Sequence, residues 1–319
     1  MKRLFAFLSL FLFSLGAFCQ EFPTRPIRLV VPWPPAGNVD ITARAIAPAI
    51  GEILGQQVVV ENRAGAAGRI GCAEVAKSSP DGYSLVLGST GTMTAGPAVW
   101  KNVAYDPLKD FVAVGAIQSV PIVLTAAPKA PFSTYEEFAK LAREKPGQVT
   151  IASAGSGSSN HLALELLMKQ AHLQVLHVPY KGSGPAITDV LGSQVNGMMD
   201  QLTASIGHIR DGRMKALAIT SRTRSPLLPD VRTLSELGVQ GAEADTFTGI
   251  FAPAGLPGPV LQKLSSAIRK ALSEPAVRER YKTMGVDIMD MTQPDFAAYV
   301  KTDLEKWRRV AKEGNIVVE

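Results

Sequence analysis

Short apolar runs alternate with longer segments whose apolar residues recur every three or four positions, and this alternation constrains the chain more than any other feature. Runs at 27–31, 57–61, 84–87, 112–117, 122–126, 149–152, 176–178, 197–200, 216–219 and 249–252 read as strands. Segments at 41–54, 134–145, 161–170, 185–191 and 204–211 read as helices between them. A helix after a strand carries the chain back over the sheet, so the pattern predicts parallel α/β sheets with right-handed crossovers. Beyond Pro257 the chain reads as all-helical, over 260–272, 275–284 and 294–312. In the last of these, Phe296, Val300, Leu304 and Trp307 share one face, a packing stripe. So many strands favour two α/β lobes, with one crossing at 117–126 around Pro121. A return crossing near 220–249 would bring the C-terminal helices back to the first lobe. Pro80-Asp81-Gly82 marks a turn, and Ser133-x-x-Glu136 and Thr233-x-x-Glu236 read as capping boxes.

Residues 1–19 have the anatomy of a signal peptide: Lys2 and Arg3, an apolar core to Phe18, and a cleavage site at Ala17-Phe18-Cys19 that leaves Gln20 first. Cys19 as a lipoprotein cysteine is disfavoured by the bulk of Phe18 before it. Without the leader, 31 basic residues face 28 acidic ones, a net charge of +3 with no Lys/Arg block. That balance excludes nucleic-acid and polybasic membrane binding. Cys72 is then the single cysteine, so no intramolecular disulfide forms and a large core must supply the stability. His161, His172, His177 and His208 are too scattered for a local metal site, and neither CxxC nor HExxH occurs. No metal and no cofactor are expected.

Several strand ends are followed by small or hydroxyl residues. After the run at 27–31, Pro32-Trp33-Pro34-Pro35 stops the strand, the chain turns through Ala36-Gly37-Asn38, and a helix-like stretch starts from Asp40. Such a strand, glycine loop and helix start converge backbone N–H groups on a small anion. The loop from Ala152 to Asn160 (Ala-Ser-Ala-Gly-Ser-Gly-Ser-Ser-Asn) precedes a helix at His161 and reads equally as an anion loop or a plain helix cap. The loop His177-Val178-Pro179-Tyr180-Lys181-Gly182-Ser183-Gly184-Pro185 places Tyr180 in a core or on a cleft wall, and Lys181 beside a carboxylate or in solvent. Met199-Asp200-Gln201 and Gly88-Ser89-Thr90 complete the set. The dinucleotide fingerprint lacks its third glycine and its acidic residue, and no Walker loop or Gly-x-Ser-x-Gly elbow occurs. His161 reads as a helix-start residue bonding its loop rather than a general base. The loops together describe a pocket of backbone donors, not a catalytic constellation.

These residues resemble a known family. The string Pro26-Ile27-Arg28-Leu29-Val30-Val31-Pro32-Trp33-Pro34-Pro35-Ala36-Gly37, with Asp40 and Ala43-Arg44, is similar to the opening of the TctC or Bug receptors of tripartite tricarboxylate transporters. Val60-Glu61-Asn62-Arg63-Ala64-Gly65-Ala66 with Gly68, Pro80-Asp81-Gly82-Tyr83, and His177 to Gly182 continue the resemblance. So do Ala216-Leu217-Ala218, Pro229-Asp230-Val231 and Phe251-Ala252-Pro253-Ala254-Gly255. It implies an α/β, two-lobe periplasmic-binding-protein fold (Venus-flytrap, type II) with two crossing strands, the lobes being 20–120 plus 225–319 and 121–224. It also implies a receptor, not an enzyme, that captures a small carboxylate and delivers it to membrane permease subunits, acting as a periplasmic monomer. The ligand-binding residues carried over are Pro35, Ala36, Gly37, Asn38, Asp40, Ser89 and Thr90 from one lobe. From the other come Ser153, Ala154, Ser156, Ser158, His161, Tyr180 and Asp200. Two departures stand out: Ala36 and Asn38 in the first loop, where the family more often has a further glycine and another small residue, and Phe247 where it often has Trp, a change expected at the cleft wall. The competing readings are an exported hydrolase using Ser158 and His161, and a ligand sensor using the same cleft.

Overall fold

The computed structural model describes residues 22–314 and 316–318. The predicted leader, its cleavage site and the Cys19 alternative lie outside the described residues. The chain begins with strands β1 (Ile27–Val31), β2 (Val58–Asn62), β3 (Ser84–Ser89) and β4 (Phe111–Val120), interleaved with helices α1 (Asn38–Leu54), α2 (Arg69–Ala76) and α3 (Ala95–Val99). It continues through β5 (Ile122–Ala126), α4 (Tyr135–Glu144), β6 (Thr150–Ser153), α5 (Ser159–Ala171) and β7 (Leu176–Pro179). Next come α6 (Ser183–Leu191), β8 (Gly197–Gln201), α7 (Leu202–Arg210) and β9 (Lys215–Ile219). The remainder is β10 (Thr246–Pro253), α8 (Gly258–Ser273), α9 (Pro275–Met284), β11 (Asp287–Ile288) and α10 (Gln293–Gly314).

Two sheets result. One has the spatial order β11-β4-β10-β3-β1-β2, the other β7-β6-β8-β5-β9. Ile27, Leu29, Val30 and Val31 are fully buried, as expected of a strand covered by helices on both faces. The sheets are mixed rather than parallel throughout: β10 runs antiparallel to β3 and β4, and β5 antiparallel to β8 and β9. The crossings cause this. β4 runs toward the junction between the sheets, so β5, entering across Pro121, must run away from it, and β10 does the same on the return. Thr220 sits where the crossings meet. Its Oγ1 accepts from the Ile122 amide at 3.0 Å and lies 3.0 Å from the carbonyls of Ile122 and Ala244.

Four expectations are corrected. The N-cap of α4 is Thr134, whose Oγ1 accepts from Glu137 N, while Glu137 reaches back to Ser133 N; the box is one residue later than Ser133 and Glu136 predict. Thr233 Oγ1 accepts from Glu236 N and Glu236 Oε2 from Thr233 N, the reciprocal bonds of the expected box, but a turn follows them rather than a helix. α2, α3 and β11 have no counterpart in the sequence reading, because they are short and their stability comes from packing rather than periodicity. Phe247 is fully buried against Phe296 and Tyr299, in the core and away from the cleft wall. The α10 stripe of Phe296, Val300, Leu304 and Trp307 is buried, and the helix packs on β4 and α3. No helix among the described residues is long and apolar enough to cross a membrane.

Candidate functional site

The junction between the sheets collects helix N-termini. Gly37 caps α1, Ser158 caps α5, Gly182 caps α6 and Gln201 caps α7. The starts of α1, α5 and α6 and the N-cap Gln201 of α7, with Trp33, Pro34, Ser89 and Ala154, enclose a cavity of about 20 Å³. That is room for a water or two, or for the oxygens of one carboxylate. The first N–H groups of a helix have no intrahelical partner and carry the positive end of its dipole. No ionisable side chain belongs to the lining. The cavity is therefore electropositive through backbone and amide groups alone.

Asn38 is 3% exposed and lines this cavity. Its Nδ2 is buried without a protein partner, as is Trp33 Nε1. Buried donors of this kind are ready to bind a ligand oxygen. Ser89 lines the cavity from the end of β3 and accepts from the Thr92 amide. On the opposite side, Gln201 Nε2 donates to Ser159 Oγ at 3.0 Å.

Other candidate residues stand behind the lining and hold it. Asp40 accepts from Ala36 N, from Arg44 Nε and from Asn62 Nδ2, at 2.9–3.1 Å. Burial pushes its carboxyl up, but the donors of Arg44, Asn62 and Ala36 outweigh this and hold it below the usual range. Asn62 also donates to the Trp33 carbonyl, so this cluster fixes the first loop. Pro35 and Ala36 are exposed, and Ala36 takes a left-handed φ of 66°, where a glycine would sit without strain. Asp200 is fully buried, accepts from Asn160 Nδ2, Ser183 Oγ and Ser205 Oγ, and so orients two residues of the lining. Burial raises its carboxyl to about 6 against the pull of those donors. Thr90 Oγ1 accepts from Phe247 N at 2.9 Å, joining the Ser89 segment to β10.

The loop from Ser153 to Ser158 is held by imidazoles. His161 Nδ1 accepts from Gly157 N at 3.1 Å, and its Nε2 lies 3.2 Å from Glu165. His161 stacks on His177 at 4.1 Å, and His177 Nε2 lies 2.6 Å from Ser153 Oγ. Burial, with His161 alongside, lowers the His177 imidazole to about 4. Ser158 Oγ donates to the Gly155 carbonyl at 2.7 Å and accepts from His161 N. Both nitrogens of His161 are thus engaged away from the Ser158 hydroxyl, and a nucleophile–base pair is not assembled.

The lobes touch around the cavity. A Cβ on Gly157 would fall 1.9 Å from Trp100 Nε1, and one on Gly182 2.7 Å from Pro34 Cγ. Outside these contacts lies a second cavity of about 580 Å³, which shares Trp33, Pro34 and Ala154 with the first and adds Ser156, Tyr180 and Lys181. Tyr180 donates its hydroxyl to Asp189 at 2.7 Å. A larger depression, about 740 Å³, runs along β2 and the outer face of α1, but only one lobe forms it and nothing there closes on a ligand.

Of the candidate residues, Gly37, Asn38, Ser89, Ala154 and Ser158 meet at the inner cavity, and Ser156 and Tyr180 at the outer one. Asp40, Thr90, Ser153, His161 and Asp200 support the lining from behind. Sequence reasoning missed Trp33, Pro34, Ser159, Asn160, Ser183 and Gln201 as lining residues. Each lies in a loop it singled out, and the helix-capping signals at Ser158 and Gly182 would have pointed to their neighbours.

Residues 42–316 match the profile of TctC, the tripartite tricarboxylate transporter family receptor. The chain is 40% identical over 295 residues to the UPF0065 protein in the tcbD-tcbE intergenic region of Pseudomonas sp. (strain P51), covering 92% of this chain and 88% of that one. It is 35% identical over 318 residues to protein BugT of Bordetella pertussis, covering 98% of each. Among solved structures, the periplasmic binding protein BugD superposes with a TM-score of 0.89 at 35% identity, over 93% of this chain and all of that one. R. palustris Rpa4515 with adipate gives 0.89 at 31% identity, over 93% and 99%. MatC from Rhodopseudomonas palustris with bound malate gives 0.87 at 33%, over 91% and 99%. The fold is the two-lobe periplasmic-binding-protein fold, and the chain belongs to the TctC (Bug) family of tripartite tricarboxylate transporter receptors.

Proposed function

We propose that this protein is a periplasmic solute receptor that captures a small carboxylate between its lobes and hands it to the membrane permease of a tripartite tricarboxylate-type transporter. One observation carries the reading: four helix N-termini from two sheets converge on one cavity lined by uncharged donors. Adipate and malate are bound by two relatives of similar structure, which supports a carboxylate here. The lobes in this reading are 20–120 with 225–319, and 121–224, the latter containing all five strands of the second sheet. The ligand lies on Gly37, Asn38 and Ser89 from one lobe and Ala154, Ser158 and Ser183 from the other. Contacts from both lobes are satisfied together only in the closed form, so binding and closure are coupled. The chain acts as a monomer without catalysis, the transport energy coming from the membrane partner.

A thermal-shift screen against small carboxylates tests this. A ligand at about a hundred times its Kd adds about 2.7 kcal/mol to folding stability, a shift of several degrees. A sugar or cation that raises the melting temperature where no carboxylate does would overturn the reading.

A further inference from the structure

Two carboxylates brace the inner cavity from behind, and they differ in one respect. Asp40 has a cation against it, Arg44 at 3.0 Å. Asp200, fully buried at the end of β8, has none. Its partners are neutral: Asn160 Nδ2 and Ser183 Oγ donate to Oδ1 at 3.0 and 2.7 Å, and Ser205 Oγ donates to Oδ2 at 3.0 Å. The elements packed against β8 are β5, β6, α5, α6 and α7. The two strands carry no ionisable side chain, and the helices carry His161, Glu165, Lys169, Asp189, His208 and Arg210. None of these acts on Asp200, whose carboxyl is pushed up by burial and drawn back only by the neutral donors and the Gln201 amide.

Asn160 and Ser183 also line the cavity, so a single residue stands between the Asp200 carboxylate and a bound anion. In so dry a site two negative charges repel strongly, and a proton on Asp200 removes that repulsion. The division of the hydrogen bonds lets the proton enter without disturbing the lining. Placed on Oδ2, it is donated to Ser205 Oγ, a hydroxyl able to turn and accept, while Oδ1 keeps its bonds to Asn160 and Ser183.

We infer that carboxylate binding in the inner cavity is coupled to uptake of one proton from solvent at Asp200, the uncharged acid being the form that holds ligand tightly. This rests on the carboxylate reading of the cavity and deepens it: Asp200 touches no ligand, yet it sets the affinity and makes it depend on pH. The bound state holds more protons than the free one. Affinity is therefore highest on the acid side of the Asp200 titration, at about 6 in the free protein, and falls as pH rises through it.

Titration calorimetry of malate, adipate, glutamate and benzoate, in buffers of different ionisation enthalpy, counts the protons taken up. If the protonated form binds about tenfold tighter, which is one pKa unit, uptake peaks at about half a proton per site between about pH 6 and 7. It vanishes by about pH 8.5, and affinity falls about fivefold from about pH 6 to 8. Asp200→Asn mimics the neutral acid, so it should bind about tenfold tighter than the wild type at about pH 8 and lose this uptake. Whatever His161 and His177 contribute remains in the variant, and the difference between the two proteins reports Asp200. Ser205→Ala strips the donor from Oδ2 and leaves the lining bonds, so it should move the uptake maximum to higher pH. If none of the four acids binds at any pH, the carboxylate reading fails and the linkage with it. If they bind without uptake, or with uptake that Asp200→Asn and Ser205→Ala leave unchanged, the receptor reading stands and the linkage is overturned.

Discussion

Gln118 Nε2 donates a hydrogen bond of 2.9 Å to Asn38 Oδ1, tying the first residue of α1 to the strand that crosses between the sheets. Gln118 is fully buried three positions before Pro121, so the amide that lines the inner cavity is fastened to the crossing itself. The bond also fixes which way Asn38 faces, leaving its Nδ2 as a free buried donor.

Asn38→Ala removes that donor. A hydrogen bond to a charged group contributes about 1.5–3 kcal/mol, so carboxylate affinity is expected to fall about tenfold or more. Asn38→Asp places a negative charge beside the ligand and should weaken binding further. Titration calorimetry reads both; an Asn38→Ala protein with unchanged affinity removes Asn38 from the ligand shell.

Lobe closure is expected to require glycine at 157, where the second lobe meets Trp100 of the first. Gly157→Ala sets a methyl against Trp100 and also strains a φ of +78°. Gly147→Ala supplies the control, because its φ of +73° is similar and nothing lies within 4 Å of the added Cβ. Both variants should lose about 1 kcal/mol of stability, the cost of a left-handed alanine. Gly157→Ala alone should lose ligand affinity and the ligand-induced compaction seen by small-angle scattering. Equal behaviour of the two would show that the lobes do not meet there on closing.

Acid affects two buried groups in opposite directions. Asp200, ordinarily near 3.8, is raised to about 6 in the folded protein. Between those values the folded state holds more protons than the unfolded chain, so this group adds stability as pH falls from 6 toward 3.8. His177 is lowered from 6.5 to about 4. There the unfolded chain binds the proton first, and stability is lost as pH falls from 6.5 toward 4. Asp200→Asn leaves only the second effect, so its melting temperature should drop more steeply than the wild type's between pH 6 and 4. A slope no steeper than the wild type's would show that Asp200 titrates normally.

Cys72 is fully buried, and burial pushes its thiol up to about 12. The reactive thiolate is then negligible at pH 8. In the chain beginning at Gln20, a thiol reagent should label Cys72 only as the fold opens, at a rate that rises with denaturant. Rapid labelling of the native protein would contradict this burial.

Much of the fold was legible in local patterns. The runs at 27–31 and 122–126 coincide with β1 and β5 to the residue, because Pro32, Pro121 and the turn residues around them punctuate the chain sharply. The mixed direction of the sheets was not legible. It depends on which strand crosses the junction, and β5 and β10 look like any other apolar run. The candidate loops were legible for the same reason as the strands, but the aim of their side chains was not: Asp40 turns to Arg44 and Asn62 and Asp200 to the neutral donors Asn160, Ser183 and Ser205, while Trp33 and Gln201 face the cavity.

The sequence by itself determined the strand runs, the glycine loops and helix caps after them, and the family, since periodicity, turn chemistry and motif order are local properties. Only the tertiary structure decided that Gly37, Asn38, Ser89, Ser158, Asn160, Ser183 and Gln201 enclose one space. They come from separate loops on two sheets, and strand order and crossings bring them together. Whether a polar side chain there contacts ligand or braces a neighbour is set by burial and hydrogen-bond partners, which exist only once the lobes have packed.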